Sequence, residues 1–261
     1  MNIALQDRNA VICGSSGGIG LAVAMELAAL GCNCFLLARN ETDLKLAVNM
    51  LPRNASQQHR YYVTDFFEPE QVKETVREIV SGYSIHILVN NSGGPKSGPI
   101  TGAAPEDFEE AFRQHVICNQ ILSQAVLPGM QQAGYGRIIN IISASVKIPI
   151  PGLGVSNTIR GAVAAWAKTL SYETGQYGIT VNNVLPGSTA TRRLENLIKD
   201  IARKNGVEFE AAKKSMAEAI PLKRFGLPEE IASVVAFLAS PAASYVNGAS
   251  IPVDGGRTGS I

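Results

Sequence analysis

Seven short apolar runs alternate with helical patterns along the chain, and that rhythm leaves few folds open. The runs are Asn9–Cys13, Cys32–Ala38, Arg60–Thr64, Ile85–Val89, Arg137–Ile142, Thr180–Leu185 and Ser250–Val253. Between them the spacing predicts helices over Ile19–Leu30, Glu41–Leu51, Pro69–Ser81, Pro105 to about Met130, Val155–Tyr177 and Pro228–Ala239. Strict alternation of this kind calls for parallel strands joined by helical crossovers. Right-handed crossovers then lay helices on both faces of the sheet. The runs read as apolar throughout, as strands buried on both sides do. The expected architecture is a three-layer α/β fold with a doubly wound, parallel, seven-stranded sheet of Rossmann type, formed by residues 1–261 as one domain.

Hydrophobic residues make up 46% of the 261, enough for a large core, and the formal net charge is only +1. Such a balance argues against a nucleic-acid partner, and no polybasic run points to a membrane surface. No apolar run approaches the ~20 residues of a membrane span. Residues 1–8 show no basic-then-apolar leader pattern. Cys13, Cys32, Cys34 and Cys118 form no CxxC pair and read as reduced packing residues, which implies a cytoplasmic protein. With His59, His86 and His115 they repeat no ligand spacing, so no metal site is expected.

One stretch breaks the rhythm. Residues 191–220 are charged and helical in composition and follow the Pro186-Gly187 turn. An insertion at the carboxyl end of a strand is where a lid over a bound ligand would sit. The same composition suits a solvated helical hairpin.

The first strand runs straight into Gly14-Ser15-Ser16-Gly17-Gly18-Ile19-Gly20. Glycine permits a sharp turn and a close approach of backbone to a pyrophosphate, and the helix that follows offers free N–H groups and its positive dipole end. The strand before and the amphipathic helix after are the context that turns a weak glycine pattern into a dinucleotide site. At the end of the second strand an acidic residue would accept from a ribose 2′-hydroxyl. Ala38 stands there, followed by Arg39, a cation suited to a 2′-phosphate. NADP(H) is therefore expected in preference to NAD(H).

With these residues in view, the chain resembles the short-chain dehydrogenase/reductase family along nearly its whole length. Its glycine loop is similar to TGxxxGIG, with Cys13 in place of threonine. Asp65 matches an aspartate that contacts the adenine, and Asn90-Asn91-Ser92-Gly93 matches NNAG. The segment from Asn182 to Gly187, with Thr189 and Thr191, resembles the part beside the nicotinamide. Arg224–Ala232 and Val253–Gly256 also resemble the family. The resemblance implies hydride transfer between a carbonyl and an alcohol of a small molecule, and a homodimer or homotetramer.

The resemblance fails where the family keeps its Asn-Ser-Tyr-Lys group. Ser143 matches the serine. Ser156 stands at the tyrosine position and Arg160 at the lysine position, and no tyrosine lies between Tyr135 and Tyr172. The asparagine position falls on His115, with Asn119 one turn beyond. A lysine beside a tyrosine lowers a phenol pKa of ~10 toward neutrality. A serine hydroxyl is a far weaker acid, and arginine stays charged instead of relaying a proton.

Three readings follow. In one, Arg160 and Ser143 stabilise an alkoxide while water, His115 or Lys147 gives the proton; histidine is the side chain whose ordinary pKa suits neutral acid chemistry. In another, Arg160 forks to the carboxylate of an anionic substrate. In the third, the chain is an NADP-binding pseudoenzyme that acts as a sensor or partner subunit. Against catalytic roles, Ser156 could cap its helix, His115 could be a structural residue and Lys147 a loop charge.

Overall fold

A computed structural model describes residues 1–259, and their strands form one parallel sheet of seven. The strands are β1 (Asn9–Cys13), β2 (Asn33–Ala38), β3 (Arg60–Val63), β4 (Ile87–Asn90), β5 (Gly136–Ile141), β6 (Ile179–Pro186) and β7 (Ser250–Val253), ordered β3-β2-β1-β4-β5-β6-β7. The helices are α1 (Gly18–Ala29), α2 (Glu41–Met50), α3 (Pro69–Gly82), α4 (Pro105–Phe112), α5 (Cys118–Ala133), α6 (Gly154–Thr174), α7 (Arg192–Asn205), α8 (Phe209–Glu218) and α9 (Pro228–Ala239). The expected doubly wound α/β sheet is what the chain forms.

Alternate residues of the strands serve opposite faces. Ala10, Ile12 and Leu36 join Val23 and Leu27 of α1 and Val235 of α9 in one core. Val11, Phe35 and Leu37 join Val76 of α3 and Leu122 of α5 in the other. The chain winds outward from β1 in one direction and from β4 in the other. β1 and β4 are neighbours, so the switch point lies between their carboxyl ends, where open α/β sheets bind ligands.

Two sequence expectations need correction. Neither edge strand is buried on both sides: in β3 Arg60 and Val63 are exposed and Tyr61 and Tyr62 half-buried, and in β7 Pro252 is exposed and Ser250, Ile251 and Val253 half-buried. The helix expected from Pro105 is interrupted by a π turn at Arg113–Ile117. A π turn adds a residue to one turn and re-aims the side chains there.

Residues 192–218 form a hairpin of α7 and α8 joined through Gly206 in a left-handed conformation (φ +62°). Leu194, Ile198 and Ala202 pack on Ala212 in a small core of their own. All four cysteines are buried and free, and burial next to Asp65 pushes the Cys118 thiol up to about 12. No helix among the described residues is long and apolar enough to cross a membrane.

Candidate active site

The glycine loop is built for backbone approach. Gly14 and Gly18 take positive φ values (+59° and +55°), which glycine adopts without strain. A Cβ on Gly14 would collide with the Asn91 carbonyl oxygen, and one on Gly20 with the Gly14 carbonyl. Asn91 holds the loop from β4, its Nδ2 donating to Cys13 O (3.2 Å) and Gly14 O (3.3 Å). Ser15 is buried and points inward: its Oγ donates to Ile12 O (2.8 Å) and accepts from Leu37 N (3.1 Å). Its side chain thus ties β1 to β2 and faces no ligand. Ser16 and Ile19 are half-buried, with Ile19 packed against the α1 core.

Helix α1 begins with no side-chain cap and no acidic residue in its first turn. Its first N–H groups therefore lack the usual partners and point to where an anion is favoured. A crowded glycine cradle under an uncapped helix start fits the pyrophosphate of a dinucleotide.

The neighbouring loops complete this half. Arg39 is exposed just past β2, its guanidinium 5.5 Å from the centre of the Phe67 ring. It forms no ion pair among the described residues. Asp65 uses Oδ1 to accept from Phe67 N (3.0 Å). Gly93 has open space at its Cβ position. Gly187, after Pro186, lies so close to Asp254 that no side chain fits. Thr189 Oγ1 donates to Gly187 O (3.2 Å). Thr191 caps α7, accepting from Leu194 N (3.4 Å), and its methyl group lies beside Gly18. The hairpin of α7 and α8 thereby starts directly against the glycine loop.

Beneath these loops runs a ladder of side-chain amides that the sequence reading missed. Asn90 Nδ2 donates to Asn140 Oδ1 (2.8 Å), Asn140 Nδ2 to Asn183 Oδ1 (2.9 Å) and Asn183 Nδ2 to Ser250 Oγ (3.1 Å). These residues are paired in register across β4, β5, β6 and β7. The available signal was an asparagine in or directly after three of the apolar runs: Asn90, Asn140 and Asn183.

The second cluster gathers around α6. Ser156 and Arg160 are one turn apart and share a face, and both are buried, at 6% and 7% exposure. Ser156 does not cap its helix. Leu153 holds the cap position, and Ser156 Oγ has no hydrogen-bond partner among the described residues. Arg160 Nη1 donates to Ile141 O (3.1 Å) at the end of β5, two residues before Ser143. Ser143 Oγ accepts from Ser145 N (3.1 Å). Burial and the nearby Arg193 pull Arg160 down to about 9, which leaves it charged at neutral pH.

His115 enters from the π turn, 1% exposed, with Nδ1 at 2.7 Å from Ser92 Oγ and Nε2 buried without a partner. Burial, then Arg160 and Arg193, push its pKa down to about 2. The imidazole is neutral at working pH, so His115 is not the neutral-range acid expected of it. Lys147 is exposed at the end of the short 3-10 turn that begins at Ser143. Asn119 is buried on α5. A cavity of about 280 Å³ borders the cluster through Gly94, Gln114 and Val155.

Arg193 is the residue the sequence reading did not single out. In a charged helix start it looked solvated. The residue is exposed, but its guanidinium lies over Gly94, so closely that a Cβ there would overlap it.

Residues 14–258 match the family described as enoyl-(acyl carrier protein) reductase. Among curated proteins, the chain is 33% identical over 254 residues to a 3-oxoacyl-(acyl-carrier-protein) reductase, FabG, of Rickettsia felis, covering 97% of this chain and 98% of that one. It is 29% identical to the NADPH-dependent reductase BacG of Bacillus subtilis, over 98% and 100% of the two chains. Among solved structures, L-sorbose reductase from Gluconobacter frateurii, complexed with NADPH and L-sorbose, superposes with a TM-score of 0.93 at 32% identity, covering all of both chains.

Proposed function

Because the chain belongs to the short-chain dehydrogenase/reductase family, we propose that it reduces a small carbonyl compound to an alcohol at a site where Arg160 and two serines replace the usual tyrosine and lysine. The chain is an oxidoreductase, and its cofactor is NADPH, in line with its NADPH-dependent relatives and with Arg39 standing unpaired at the end of β2. The residues that would hold the dinucleotide are Gly14, Ser15 and Ser16 through their backbone, Gly18, Ile19 and Gly20 at the start of α1, and Arg39, Asp65, Asn91, Ser92, Gly93, Pro186, Gly187, Thr189 and Thr191 around it. When bound, NADPH supplies a hydride to the carbonyl carbon.

The chain's own residues handle the oxygen. The observation that carries this reading is Arg160: a buried cation with one carbonyl partner, beside Ser143 and on the same face as Ser156. Fixed donors aimed at a developing alkoxide, in a site shielded from water, stabilise the transition state strongly. Arg160 balances the negative charge, and the hydroxyls of Ser143 and Ser156 orient the oxygen. The proton comes from a water held by these groups, since His115 is neutral and Lys147 is exposed to solvent. The hairpin at 191–220 acts as a lid, a role supported by Thr191 against Gly18 and Arg193 over Gly94.

Purified protein with NADPH and a panel of ketones should consume the cofactor slowly. Ser156→Tyr combined with Arg160→Lys should raise turnover of simple ketones. A second reading, an NADPH-binding pseudoenzyme, draws on the lowered pKa of His115, which keeps the imidazole neutral at working pH. Tight NADPH binding with no turnover of any carbonyl compound would favour it.

A further inference from the structure

Two cations serve the site, and neither has an anionic partner among the described residues. Arg160 is buried and spends one of its five N–H donors on Ile141 O; the others have no partner among the described residues. Arg193 comes from the hairpin, and Gly94 is what lets its guanidinium lie flat against the loop after β4. The seven ion pairs among the described residues involve neither arginine. Arg193 lies over Gly94, which lines the same cavity as Val155 at the start of α6, and burial together with the Arg193 charge lowers the pKa of Arg160. Buried charges are ordinarily paired, because desolvation penalises a lone ion.

We propose that the reacting molecule is a small oxo acid whose carboxylate is held between Arg160 and Arg193. This deepens the reductase reading and rests on it. Guanidinium forks match the two oxygens of a carboxylate. The adjoining cavity takes a short carbon chain, and Asp107 and Glu110 on its wall oppose a second anionic group, so phosphorylated substrates are disfavoured. The reaction adds one hydride to the oxo carbon and one proton to its oxygen, giving a hydroxy acid with the carboxylate unchanged.

The test is calorimetric titration of the NADPH-bound protein with acetoacetate and 2-oxobutyrate, each against its methyl ester, which keeps the carbonyl and removes the charge. At least one acid should bind about tenfold tighter than its ester. Arg193→Gln should abolish that preference. Arg192→Gln, the same charge loss on an exposed neighbour, should keep it. The proposal is overturned if neither acid binds, if acids and esters bind alike, or if Arg193→Gln weakens NADPH binding while the preference survives. That last result would assign Arg193 to the dinucleotide phosphates. The outcomes also separate the two claims. Turnover of neutral ketones with no acid preference removes only the oxo-acid claim. Selective acid binding without turnover of any carbonyl compound removes only the reductase reading.

Discussion

The dinucleotide half and the reaction half of this molecule are satisfied to different degrees. Around β1 and β2 the polar side chains that hold the loop have partners within the protein: Ser15 bonds both strands, and Asn91 clamps the glycine loop. From β4 onward several do not, although the asparagine ladder is bonded. The buried side-chain atoms without partners among the described residues belong to Asn90, His115, Ser123, Ser145 and Thr180, none earlier than β4. Arg160 adds an unpaired buried charge. A half with its own bonds satisfied binds through backbone geometry and tolerates little change. The other half keeps its polar groups free for what arrives, at some cost in stability.

The largest effect that would break this contrast lies in the loop. Gly14→Ala places a Cβ against the Asn91 carbonyl at a positive φ, and NADPH affinity by fluorescence titration should fall about a hundredfold. An unchanged affinity would mean that the loop is not the cradle. In the reaction half the sign reverses. Arg160→Met removes an unpaired buried cation, and the ligand-free protein should gain about 2 kcal/mol in a urea titration. A loss of stability would show that Arg160 is paired in solution. Arg39→Gln sharpens the cofactor assignment, with NADPH affinity falling about tenfold and NADH affinity unchanged.

The smallest effect is in pH. The His115 pKa is lowered from 6.5 to about 2 by burial. Between those values the unfolded chain takes up the proton first, so this group's contribution is full above pH 6.5 and is lost as pH falls. His115→Gln should remove about 0.7 kcal/mol of the stability difference between pH 7 and pH 6.

Much of the first half was legible in the sequence, because close backbone approach leaves only glycine possible and strand periodicity is local. β1, β7 and α9 have the bounds that the apolar runs predict. β3 was misread because Tyr61 and Tyr62 look buried until the strand order makes them an edge. The reaction half was legible only by position. Nothing in Pro105–Met130 announces the π turn that delivers His115. Arg193 looked like any surface charge at a helix start, since its contact with Gly94 joins residues far apart in sequence. The asparagine ladder needed strand register, which single runs do not carry.

The central claim is that holding the cofactor and handling the carbonyl oxygen are separate tasks of separate groups. Arg160→Met tests it most directly when NADPH affinity and turnover at saturating NADPH are measured on the same sample. The account predicts an NADPH Kd within about twofold of the wild type and turnover lowered about a hundredfold or more. Loss of affinity and turnover together, or turnover that survives the substitution, would contradict it.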